Sequence, residues 1–230
     1  MRTQRLSARP GPVSEPGPTG LIRLGLVEGR DGQLFVPAAY APERPVPLIL
    51  TFHGAGGNAQ RTINYLIPVA DAAGIIVLAP DSRGQTWDIM LGDYGPDVAF
   101  IDRALKQTFA RYAIQPERVV ISGFSDGASY ALSLGLMNGD LFPQIIAFSP
   151  GFMALAGPVG EPRIFISHGT EDAVLPIERC SRRLVAQLDD VGYDVTYHEF
   201  DGPHTVPPAI VAEAITWLLQ PAPIRPTSGH

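Results

Sequence analysis

Apolar residues cluster in short runs along the middle of the chain: PLILTF at 47–52, IIVLA at 75–79, RVVIS at 118–122, QIIAF at 144–148 and RIFIS at 163–167. Longer amphipathic segments separate them. Runs that are apolar on both faces and spaced by helices predict a mostly parallel sheet covered on both sides, an α/β fold of three layers. Residues 97–112 place Val98, Ile101, Leu105, Phe109 and Tyr112 on one helical face. A last helix opens at Pro207-Pro208 and carries Ile210, Ala214, Ile215 and Leu218. The spacing of Ile177, Cys180, Leu184, Leu188 and Val191 predicts a further buried helix face. Segments 21–27 and 31–36 are expected to pair as an antiparallel hairpin across Glu28 to Gly32, and the alternating DVTYHEF predicts a last strand. Residues 1–20 and 221–230 are rich in Pro, Gly, Ser and Arg without periodicity, so both ends are expected to be poorly ordered around a single domain at 21–220. No internal repeat or linker interrupts that domain.

Composition agrees with one sizeable core: 45% of the 230 residues are hydrophobic and 17% charged. The net charge of −6, with no run of lysines or arginines, argues against nucleic acid as a partner. Cys180 is the single cysteine and cannot form an intramolecular disulfide. The opening twenty residues lack the apolar centre of a signal peptide and no stretch approaches a membrane span, so a reduced, cytoplasmic compartment is the default expectation.

In a parallel sheet, reactive groups gather beyond the carboxyl ends of the strands. The segment Gly123-Phe124-Ser125-Asp126-Gly127 lies there, between the strand RVVIS and the helical ASYALSLGLM. A sharp strand-to-helix turn needs small flanking residues, and the glycines permit an elbow that lifts the Ser125 hydroxyl out of the fold. Gly-x-Ser-x-Gly alone is a weak signal; the strand before it and the helix after it make it specific.

A serine hydroxyl needs a general base, and a histidine base needs a carboxylate to hold its tautomer. Of the five histidines, His230 ends the chain, His198 belongs to the last strand, and His53 and His168 precede glycines at strand ends, where a histidine more often anchors a loop. His204, in the loop DGPHTVPP, remains as the base. Asp172 in HGTEDAVLP is the preferred acid, giving the order Ser, Asp, His. Asp201 and Asp81 are its rivals, although Asp201 stands so near His204 that a bridge to the ring would demand an unusually tight turn. The glycines after His53 leave backbone N–H groups unobstructed, and those of Ala55 and Asp126 are expected to face a developing oxyanion. Asn58-Ala59-Gln60 lacks the Lys-Ser or Lys-Thr of a phosphate-binding loop, and no metal-ligand spacing occurs, so neither cofactor nor metal is expected.

The ordered set HGAGG, GFSDG, HGTEDAVLP and GPH resembles the α/β-hydrolase superfamily. Within it, the set is similar to the small esterases of the phospholipase/carboxylesterase and polyhydroxybutyrate-depolymerase-like groups, over about residues 30 to 220. The resemblance implies a serine esterase with nucleophile Ser125, acid Asp172, base His204 and donors Ala55 and Asp126. A serine at position 125 sets the chain apart from the cysteine-using dienelactone hydrolases. The implied reaction is hydrolysis of small carboxylic esters through an acyl-enzyme; a thioesterase or peptidase on the same triad, or an inactive binding protein of this fold, are the alternatives.

The substrate pocket is expected to draw on Trp87, Met90, Met153 and Val174. The connections at 150–161 and 81–96 are too short for a helical cap that crosses the cleft and returns, so no large cap domain and an open cleft are expected.

Overall fold

The computed structural model describes residues 5–91, 94–154 and 157–221. Among the described residues, eight strands run as β1 (Gly20–Arg23), β2 (Gly32–Val36), β3 (Val46–Phe52), β4 (Ile76–Pro80), β5 (Ile114–Phe124), β6 (Gln144–Phe148), β7 (Arg163–Gly169) and β8 (Val195–Phe200). The helices of the described residues are α1 (Ala59–Ala73), α2 (Pro96–Arg111), α3 (Asp126–Met137), α4 (Ser181–Asp190) and α5 (Pro208–Leu219), with a short 3-10 turn at Asp88–Leu91. The strands form one sheet in the order β1-β2-β4-β3-β5-β6-β7-β8. β1 and β2 are antiparallel to their neighbours, and all pairings from β4 to β8 are parallel.

Side-chain alternation along the strands explains the layers. Leu48, Leu50, Val119, Ile121, Ile145 and Ile164 face one side, where they pack with residues of α2, α3 and α4. Ile49, Val77, Val120, Ile146 and Phe165 face the other, against α1 and α5. Each such side chain contributes roughly 1.5–3 kcal/mol on burial, so the central strands read as unbroken apolar runs because both faces are covered. No helix among the described residues is long and apolar enough to cross a membrane.

Three local readings change. The hairpin register pairs Arg23 with Gln33, so the loop spans residues 24–31 instead of the five residues expected. Its cause is Asp31, whose buried carboxylate accepts the N–H groups of Gly25, Leu26 and Val27 and curls that segment away from the strand. Val191 lies past the end of α4 and is 66% exposed, while Leu184 and Leu188 are buried as the spacing predicts. Residues 1–20 are expected to be poorly ordered, whereas the described part of that segment, 5–20, carries buried Leu6 and Ala8. Asp102 on α2 accepts from Ser7 N, Ser7 Oγ and Ala8 N, and Asn138 Oδ1 accepts from Leu6 N. Apart from Pro221, the segment 221–230 lies outside the described residues.

Candidate active site

β5 delivers Ser125 to the middle of the sheet's carboxyl edge, where the chain turns directly into α3. Ser125 has φ 59° and ψ −122°, a region almost reserved for glycine. A Cβ on Gly123 would stand 2.2 Å from the Gly127 carbonyl oxygen, and one on Gly127 would stand 2.3 Å from that of Phe52. Both glycines are therefore demanded by close backbone approach, while the strained dihedral falls on the serine between them. Ser125 N–H donates to the Phe148 carbonyl at 2.9 Å, and the Ser125 carbonyl accepts from Ala128 N at 2.9 Å, locking the turn from both sides.

His204 sits in the loop between β8 and α5. Its Nε2 is 2.8 Å from Ser125 Oγ and its Nδ1 is 2.5 Å from Asp172 Oδ2. With a carboxylate at Nδ1, that nitrogen carries the proton, leaving Nε2 to accept from the serine hydroxyl. The His204 ring packs on Phe124 with centroids 4.7 Å apart, which fixes the imidazole plane.

Asp172 follows β7 and is buried. Burial alone opposes its charge; N–H donors from Leu175 and Val174 together with His204 outweigh that cost and hold the carboxyl below its ordinary range. A second histidine, His168, reaches the same oxygen: its Nε2 lies 3.1 Å from Asp172 Oδ2 and 2.8 Å from the Leu175 carbonyl, and its Nδ1 lies 2.6 Å from Ser181 Oγ. Burial pushes the His168 pKa down, so it stands neutral behind the acid.

The rival carboxylates are engaged elsewhere. Asp201 faces the Thr170 hydroxyl at 3.4 Å, and Asp81 accepts from Ala59 N at the start of α1. His198 pairs with Glu213 and stacks on Phe165 at the sheet edge, and His230 lies outside the described residues.

Ala55 lies on the loop that leaves β3. His53, buried beneath this loop, accepts from Ser82 N–H at Nε2 and bonds the Gly54 carbonyl through Nδ1. Desolvation lowers its pKa, consistent with a neutral ring used as an anchor. Arg30 adds contacts to Ser82 and to the Gly57 carbonyl. Thr86 Oγ1 donates to Asp126 Oδ2 at 2.7 Å, a contact that no sequence pattern announced.

The expected pocket residues divide. Trp87 is fully buried, its Nε1–H donating to the His53 carbonyl and its ring stacked on Tyr130, so it supports the loop from below instead of facing a cleft. Its large apolar ring gains more from the core than from a wet cleft. Met90 and Met153 are partly buried and Val174 is 66% exposed. Beside Ala55 a recess of about 250 Å³ is lined by Gly54, Arg61, Tyr65 and Phe124, and none of the four expected residues lines it. A larger cavity of about 490 Å³ lies at the opposite end of the strands, around Arg118, Gln144 and Arg163. Among the described residues no group of three or more His, Cys, Asp or Glu is arranged to hold a metal.

Comparison with known proteins sets this geometry in context. The sequence model of the family described as Phospholipase/Carboxylesterase matches residues 98–220, just over half of the chain. Feruloyl esterase C of Emericella nidulans is 26% identical over 169 residues, covering 70% of this chain and 62% of its own. The chain thus spans less than two thirds of the length of such curated relatives. Among solved structures, esterase PE8 superposes with a TM-score of 0.64 at 25% identity, covering 80% of this chain and 97% of its own. The Bacillus cereus carboxylesterase superposes with a TM-score of 0.60 at 21% identity, over 80% and 92% of the two chains.

Proposed function

The chain belongs to the phospholipase/carboxylesterase family, and from that premise we propose that it hydrolyses small carboxylic esters with Ser125 as nucleophile, His204 as general base and acid, and Asp172 as the carboxylate that orients the base. The observation that carries this reading is the continuous line from Asp172 Oδ2 through the His204 ring to Ser125 Oγ, with both hydrogen bonds formed.

In this mechanism the Ser125 oxygen attacks the acyl carbon as its proton moves to His204 Nε2. The imidazolium is stabilised by Asp172, whose charge persists because its own N–H donors satisfy it. Charge develops on the former carbonyl oxygen, which the N–H groups of Ala55 and Asp126 would receive; the latter also opens α3, whose N-terminal dipole favours negative charge. Collapse of the tetrahedral intermediate expels the alcohol, protonated by His204, and leaves an acyl-serine. Water, deprotonated by the same histidine, then releases the acid.

The names of the relatives span feruloyl esterases and an acetylxylan esterase, so the acyl group is a matter for assay. The short connections around the site favour dissolved short-chain esters.

A fluorophosphonate probe tests the nucleophile directly: it should label the wild type and fail on Ser125→Ala. A p-nitrophenyl ester series should then favour short acyl chains, without a rise in rate as substrate passes its solubility limit. An unlabelled wild type, or labelling that survives Ser125→Ala, would refute the assignment; preference for chains beyond about ten carbons would point to a lid.

A further inference from the structure

Three consecutive residues between β4 and α2 reach both sides of the space above Ser125. The Gln85 carbonyl accepts from Gly56 N–H at 2.8 Å. Trp87 Nε1–H donates to the His53 carbonyl at 2.8 Å. Between them, Thr86 Oγ1 donates to Asp126 Oδ2 at 2.7 Å. The first two contacts hold the residues that bracket Ala55, and the third holds the side chain of Asp126 itself. The segment therefore joins the loop after β3 to the first residue of α3, fastening both N–H groups assigned to the oxyanion.

The segment is itself rigidly based. Trp87 is fully buried between Phe52, His53 and Tyr130. On either side of the triplet, Asp97 accepts from Arg83 N and Asp88 N, and Asp88 accepts from Gly95 N and Asp97 N. Gln85 contributes through its backbone and Trp87 is held by core packing, so Thr86 is the member whose side-chain hydroxyl alone makes the link.

Asp126 has an evident need for that link. In the reading proposed above its N–H stabilises negative charge, while its carboxylate, on the same residue, would repel that charge. A donor that captures the carboxylate restrains its rotation and spreads its charge away from the reaction centre. We propose that Thr86 is a positioning residue of the oxyanion site, acting through the Asp126 carboxylate. The proposal rests on the serine-hydrolase reading above.

The test is steady-state kinetics on p-nitrophenyl acetate with Thr86→Val, which keeps the side chain's shape and removes the hydroxyl, and Thr86→Ser, which restores it. Removing a whole oxyanion donor costs on the order of 10²–10³ in kcat, and loosening one should cost roughly tenfold. Thr86→Val is expected to lower kcat about tenfold with KM within about twofold of wild type, and Thr86→Ser to recover most of the loss. In an Asp126→Asn background the same Thr86→Val change should cost less than about twofold, because the charge it restrains is gone. A merely structural threonine would lower the melting temperature of Thr86→Val and leave kcat alone, which overturns the proposal; so does a tenfold loss that persists unchanged in the Asp126→Asn background. Should Thr86→Val fail to fold, Thr86→Ala is judged by the same criteria. An active wild type with an unaffected variant refutes the Thr86 role alone, whereas a wild type inactive on every ester refutes the Ser125 reading and this role with it.

Discussion

Replacing Ser125 by alanine and by glycine separates two consequences of the elbow that are otherwise confounded. Both variants lose the hydroxyl and its hydrogen bond to His204, so both should lose kcat by on the order of 10³–10⁶. They differ in the Cβ. Alanine must occupy the dihedrals of Ser125, φ 59° and ψ −122°, at a strain of about 1–3 kcal/mol, which glycine does not incur. Glycine instead loses about 0.5–1 kcal/mol through the greater freedom of the unfolded chain. The balance leaves Ser125→Gly more stable than Ser125→Ala by roughly 0.5–2 kcal/mol. For a chain of this size each kcal/mol moves Tm by about 2–4 °C, so Ser125→Gly should melt about 1–8 °C above Ser125→Ala. Thermal denaturation followed by circular dichroism reads the difference, with residual hydrolysis of p-nitrophenyl acetate confirming that both are inactive. Equal melting temperatures, or a less stable glycine variant, would refute the claim that the elbow stores strain in this residue.

Two further outcomes are expected. Asp172→Asn should cost on the order of 10⁴ in kcat through loss of tautomer control, and Asp201→Asn far less; the reverse ranking in folded variants would move the acid to Asp201. In the pH dependence of stability, His53 and His168 have folded pKa values lowered by burial, so the unfolded chain binds their protons first and stability falls as pH drops below 6.5. Asp97 acts in the opposite sense, since desolvation raises its folded pKa to about 6 and protonation then favours the fold. Tm should therefore fall between pH 7 and pH 5, and fall more steeply in Asp97→Asn; a shallower fall in that variant would contradict the sign assigned to Asp97.

Much of the architecture was legible because it is local. Apolar runs such as PLILTF and RVVIS specify strands covered on both faces, and the 3.6-residue spacing of Val98, Ile101, Leu105 and Phe109 specifies a helix, whatever the remainder of the chain does. The glycines around Ser125 announced a tight junction for the same reason, as steric demands among near neighbours are written in adjacent letters. The sequence also nominated Asp172 and His204, by their positions after strands. Distance was another matter: Ser125 and His204 stand 79 residues apart, and His204 and Asp172 stand 32 apart. Their approach depends on β5, β6, β7 and β8 lying side by side with their carboxyl ends together. Contacts that combine one residue from each of two distant loops left no periodic trace. Thr86 against Asp126 and Asp102 against Ser7 and Ala8 are of this kind, because a side-chain hydrogen bond across the fold imposes no spacing on either partner. Trp87 shows the same limit from the apolar side. A tryptophan in a loop can face a cleft or the core, and the space that folding left beneath His53 and beside Tyr130 decided in favour of the core.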